Sequence, residues 1–198
     1  MKMLLTSDIL LSNTRKGIMI GGFFMERKVS VVEDLDGNKI VFIHDAKFKG
    51  KRSIEWTEIE LYLKQFVGES YVIEDTKDMI YIGKDFPDEY AHSEYTISLK
   101  GANAKAKANA AQGVPELIEV ANGKEYRENT KTKHSRDAKY GWYRYISRFA
   151  LPIYKEEGEV DGYNVFKVIM VVRHAQDDKL YLYDLVNIKK ETSTLFQS

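Results

Sequence analysis

The chain of 198 residues is expected to adopt an α+β fold: a β-β-α-β-β region, then helices packed on an antiparallel sheet of about four strands. Three observations predict it. Alternating apolar and polar residues run through Tyr163 to His174 and Lys179 to Ile188, joined by the turn Ala175-Gln176-Asp177-Asp178, which makes a long hairpin. Trp56, Ile59, Leu63 and Phe66 recur at helical spacing. Lys100 to Gln112 is rich in Ala and Lys, favours helix, and stops at Gly113 with Pro115 beyond it.

The ordered fold is expected to begin near Lys28, after an N-terminal extension of residues 1–27. Gly17 to Met25 is apolar but too short to span a membrane and lacks a small-residue cleavage site, so it reads as a packed extension, with Met25 an alternative translational start. Val29 to Glu33 and Lys39 to His44 flank Asp34-Leu35-Asp36-Gly37-Asn38, a hairpin whose Asp and Gly tolerate left-handed backbone. Ser53 to Phe66 forms an amphipathic helix ending at Gly68. Tyr71 to Ile73 and Met79 to Ile82 make a second hairpin. This accessory region covers residues 28–94.

From residue 95 to 198 a second domain is expected. In its Ala/Lys helix, Ala102, Ala106 and Ala110 form a small stripe, and Lys100 and Lys107 share a side that is solvated or faces phosphate. Pro115 to Ala121 is a shorter helix. Trp142 to Ile146 and Arg148 to Tyr154 are strand-like, as two strands or one strand bent near Ser147. In Tyr163 to His174, strand parity puts Phe166, Val168, Met170, Val172 and His174 on the core side and Lys167 and Arg173 on the other.

Charge sorts the function classes. The net charge is zero, but residues 1–95 carry 13 basic and 17 acidic side chains and residues 96–198 the reverse. Lys124 to Phe149 holds eight Lys and Arg against three Asp and Glu, together with Tyr126, His134, Tyr140, Trp142, Tyr143 and Tyr145. Cations for phosphate interleaved with rings for unstacked bases suit RNA. The absence of cysteine excludes disulfides, thiolate metal sites and a Cys nucleophile, and agrees with a reducing cytoplasm. Clustered carboxylates of the two-metal kind do not stand out, so neither metal nor cofactor is expected.

The blocks SLKGANAKAKANAAQGVPELIEVANGKEYREN, KHSRDAKYGWYRYISRFALPIY and YNVFKVIMVVRHAQDDKLYLYDLVNIKKETS resemble a family of phage- and mobile-element-associated proteins. That family is classed with the nuclease superfamily of barnase, EndoU-type enzymes, tRNase colicins and RelE toxins (BECR). The resemblance covers roughly residues 28 to 193. It implies a BECR-like RNase fold and metal-independent RNA cleavage, in which the 2′-OH attacks phosphate to leave a 2′,3′-cyclic phosphate. It offers His134 as general base or acid, Arg173 and Arg144 as phosphate clamps, His174 as a second acid-base group, and Tyr143 or Ser147 as hydroxyl donor. Lys107, Lys131, Lys133, Arg136, Arg148 and Lys167 complete the expected RNA-contacting set. The implied partners are RNA, tRNA among them, and a protein or immunity partner. The chain departs from the family pattern at Ile146, where an acid is commoner, and at Lys167, where His is commoner. The alternative reading is therefore a catalytically inactive module that binds RNA or a protein.

Overall fold

In the computed structural model, residues 18–20, 23–25, 27–49, 53–130 and 137–191 are described. The backbone of Ile18–Ile20 (β1) pairs antiparallel with Phe23–Met25 (β2) as a separate two-stranded ribbon. Every other strand joins a single sheet.

Val29–Glu33 (β3) and Lys39–Ile43 (β4) form the first hairpin. Its turn is locked locally: Asp34 Oδ1 accepts from the backbone N–H of Asp36 at 3.0 Å and of Asn38 at 2.8 Å, while Gly37 takes φ +79°. Trp56–Leu63 (α1), extended by a 3-10 turn to Phe66, buries Ile59, Leu63 and Phe66. Ser70–Val72 (β5) and Met79–Tyr81 (β6) make the second hairpin. Phe86–His92 (α2) and Glu94–Ser98 (α3) follow, the latter capped by Ser93 Oγ, which accepts from the N–H of Thr96 at 3.2 Å. Gly101–Ala110 (α4) and Val114–Glu119 (α5) lead into Asn122–Arg127 (β7). Trp142–Tyr154 (β8), Val160–His174 (β9) and Leu180–Lys190 (β10) form a long antiparallel meander.

The expected separate four-stranded sheet is corrected by the strand order β3-β4-β8-β9-β10-β6-β5, with β7 also on β8. Strands from both sides of residue 95 share one eight-stranded sheet. The reason is edge chemistry: β8 and β10 flank β9 and each leaves a row of backbone groups open. β4 pairs in parallel with β8 at Val41↔Phe149 and Phe42↔Ala150, and β6 in parallel with β10 at Leu180↔Ile80 and Tyr181↔Tyr81.

The helices cover one face of this sheet. Tyr145, Phe149, Val168, Met170, Val172, Leu182 and Leu185 pack there against Leu63, Phe66, Tyr90 and Leu117 in one continuous core. On α4 the buried small residues are Ala104, Ala106, Ala108 and Ala110, whereas Ala102 is exposed. Asn109 ties the chain after β4 to this helix: its Oδ1 accepts from Phe48 N and its Nδ2 donates to Phe48 O, both at 3.0 Å. A smaller apolar cluster of Ile40, Phe42, Ala150 and Val165 lies apart from the main core. By strand parity it belongs to the opposite face.

Candidate nucleic-acid interface

The register of β8 on β9 decides which of the sequence-selected residues can meet. Trp142 pairs with Arg173, Arg144 with Val171 and Arg148 with Lys167, so these side chains share the face away from the helices. Tyr143 pairs with Val172 and Ser147 with Val168, so both share the helix-covered face with His174. The expected clamps Arg144 and Arg173 are therefore across the sheet from the second acid-base candidate, His174, and from the hydroxyl candidates Tyr143 and Ser147. His134, Lys131, Lys133 and Arg136 lie outside the described residues, in the connection between Thr130 and Asp137.

On the face away from the helices, Arg173 and Arg148 already have acidic partners. The Arg173 guanidinium grips Asp85 through Nη1 at 2.7 Å and Nη2 at 3.0 Å and lies 5.2 Å from the Tyr181 ring centroid. Arg148 donates to Glu191 from Nε at 3.1 Å and Nη2 at 3.0 Å, and from Nη1 to Asp34 at 3.4 Å. Arg144 and Lys167 have no acidic partner among the described residues. Lys167 borders a groove of about 230 Å³ whose lining includes Asn38, Lys39, Ile146, Arg148 and Glu191. The groove falls where the edge of β8 is bare, because its pairing with β7 ends at Ile146 and its pairing with β4 starts at Phe149.

Two expected contacts prove to be internal. Lys107 is not on a solvated or phosphate-facing side: it is fully buried, with Nζ 2.6 Å from both Asp184 Oδ1 and Thr96 Oγ1, and 4.7 Å and 5.0 Å from the Tyr90 and Tyr95 ring centroids. Burial pushes the Lys107 amine below its usual range and the Asp184 carboxyl above its own, against the attraction of the pair. Ser147 is also buried, and its hydroxyl donates to the Leu117 carbonyl at 2.9 Å, joining β8 to α5.

The helix-covered face ends in rings. Tyr126 and Tyr143 have centroids 5.5 Å apart, Tyr143 and His174 6.0 Å, and His174 and Tyr140 5.0 Å, which makes a continuous row. Tyr126 and Tyr140, at its two ends, are 54% and 43% exposed. Lys124 Nζ lies 4.4 Å from the Tyr143 centroid and Lys139 Nζ 5.2 Å from that of Tyr140. His174 Nε2 is 2.7 Å from Asp178 Oδ1 across the β9–β10 turn. Beneath the row, Asp78 accepts from Thr76 Oγ1 at 2.6 Å, Tyr145 Oη at 2.8 Å and Lys124 Nζ at 2.9 Å. Burial works to raise the Asp78 pKa, but these donors outweigh it and hold the carboxyl below its usual value, while burial and the Asp78 charge push the Tyr145 hydroxyl well up.

Tyr126 and Tyr140 sit in the basic, ring-rich stretch evident from composition, but nothing in spacing pointed to His174 as the ring that links them. Asp78, which fixes Lys124, lies in a turn some 46 residues away in sequence and carried no signal of its own. No protein-family model, curated protein or solved structure matches the chain. No helix among the described residues is long and apolar enough to cross a membrane.

Proposed function

We propose that the chain is a single-stranded RNA-binding module that does not cleave its ligand. The observation that carries this is the ring row Tyr126-Tyr143-His174-Tyr140, with centroids 5.0–6.0 Å apart and Lys124 and Lys139 beside it. Rings accept bases of any identity, and neighbouring ammonium groups meet the backbone. Lys131, Lys133 and Arg136 occur in the segment that joins the two parts of this row in sequence, adding positive charge to the same stretch. A binding role is preferred to catalysis because Arg144 and Arg173 lie across the sheet from Tyr143, Ser147 and His174. General acid-base chemistry needs those groups around one phosphate. The cysteine-free chain suits a reducing compartment, and the reading places the protein in the cytoplasm.

The test is fluorescence anisotropy with a labelled single-stranded oligoribonucleotide across a salt series. Binding should weaken with salt, and Tyr126→Ala and Tyr140→Ala should each cost about 1–3 kcal/mol of affinity, the usual worth of one base–ring stack. Absence of binding at low salt, or unchanged affinity in the double variant, overturns the proposal. The same RNA incubated in EDTA should remain intact. Fragments ending in 2′,3′-cyclic phosphate that disappear in His134→Ala would instead establish a ribonuclease.

A further inference from the structure

We infer that Glu60, Asp88 and His92 form a zinc-binding site that bridges α1 and α2. The three side chains come from two packed helices, and their ligand atoms all lie within 4.8 Å of one another. Asp88 and His92 are four residues apart on α2, which puts them on one face of that helix. Glu60 reaches the same spot from α1. The His92 Nε2 to Glu60 Oε2 distance is 3.2 Å. Two tetrahedral ligands about 2.0–2.1 Å from zinc are separated by roughly 3.3 Å, so this pair already spans one edge of such a site. Asp88 supplies the third ligand, and because Asp88 and His92 are exposed, water can complete the fourth position.

One nitrogen and two carboxylates favour zinc over magnesium or calcium, which prefer shells of oxygen alone. The principal competitor is Lys64, whose Nζ is 2.7 Å from Glu60 Oε1. It leaves Oε2 to face the metal, but its charge repels a cation. The site is separate from the ring row and independent of whether the chain binds RNA. When filled, it would clasp α1 to α2.

The experiment is isothermal titration of the full chain with ZnCl2 at constant neutral pH, with MgCl2 in parallel and thermal unfolding recorded with and without zinc. The expected result is one saturable zinc site, at least tenfold weaker in His92→Ala and in Asp88→Asn, and tighter in Lys64→Ala. Zinc should raise the unfolding midpoint of the parent but not of His92→Ala. Absence of zinc binding overturns the inference. So does binding unchanged in both ligand variants, which would assign the metal to other histidines, or equal binding of magnesium, which would mark only an acidic surface.

Discussion

Lys107 shows how a single side chain can reverse its apparent role. In sequence it is one of three lysines on the alanine-rich stretch Lys100 to Gln112, a pattern that normally means a solvated face. In the fold its amine is enclosed by Tyr90 of α2, Tyr95 and Thr96 of α3 and, 77 residues away, Asp184 of β10. A pair at 0% and 2% exposure is held by Thr96 Oγ1 beside the amine and by donors from Ser93 Oγ and Leu185 N to the carboxylate. Lys107→Met should therefore cost about 3–5 kcal/mol by leaving Asp184 buried without its counter-ion, and Lys107→Met/Asp184→Leu should recover part of the loss. Urea unfolding measures both. Asp78 makes a pH prediction. Its folded pKa is below the unfolded value, so its contribution to stability is complete above about pH 4 and is lost as pH falls through the folded value. Asp78→Asn should flatten that part of the acid-unfolding curve, followed by circular dichroism.

At the level of elements, what the sequence revealed was what local pattern controls. The β3–β4 and β9–β10 hairpins, α1 and α4 are written in turn residues and periodicity, and β8 runs unbroken through Ser147. β7 was missed because all six of its residues are exposed, so no apolar alternation marks it. α2 was missed because its seven residues begin with Phe86-Pro87 and are too few to show a period. The candidate site was half legible for the same reason: composition identified the basic, aromatic stretch, but cross-strand register paired Tyr126 with Tyr143 and put Arg144 and Arg173 across the sheet from Tyr143, Ser147 and His174. The turn entering β8 provides a test. Gly141 has φ +92°, and a Cβ there would come within 2.8 Å of the Arg127 carbonyl and of the Tyr126 ring. Gly141→Ala should destabilise the protein by about 1–3 kcal/mol and disturb the ring row. Urea titration reads the first effect and RNA anisotropy the second.

For the molecule as a whole, the parallel contacts of β4 with β8 and of β6 with β10 govern how the chain holds together. Neither has a local signature, since hairpin reading pairs each strand with its sequence neighbour. Between β4 and β5 the chain must traverse five strand spacings, roughly 24 Å, and α1 lies within that crossing. The first 95 residues thus supply strands at both flanks of the β8–β9–β10 meander. A fragment of residues 95–198 should fail to fold, since it lacks both flanking hairpins and the α1 side of the core. Dispersed amide resonances in its proton–nitrogen spectrum would refute this. Refolding of the whole chain should be slow, on the order of milliseconds to seconds, because so many contacts are distant in sequence.

That embrace of the later strands by the earlier ones also sets an order during synthesis. β4 and β6 leave the ribosome well before β8 and β10 exist. At about 5–20 residues per second, roughly 5–20 s pass while the next hundred residues are added. Throughout that interval the two early hairpins have open edges and no permanent neighbour, which makes the nascent chain a natural client for a chaperone that shields unpaired strands.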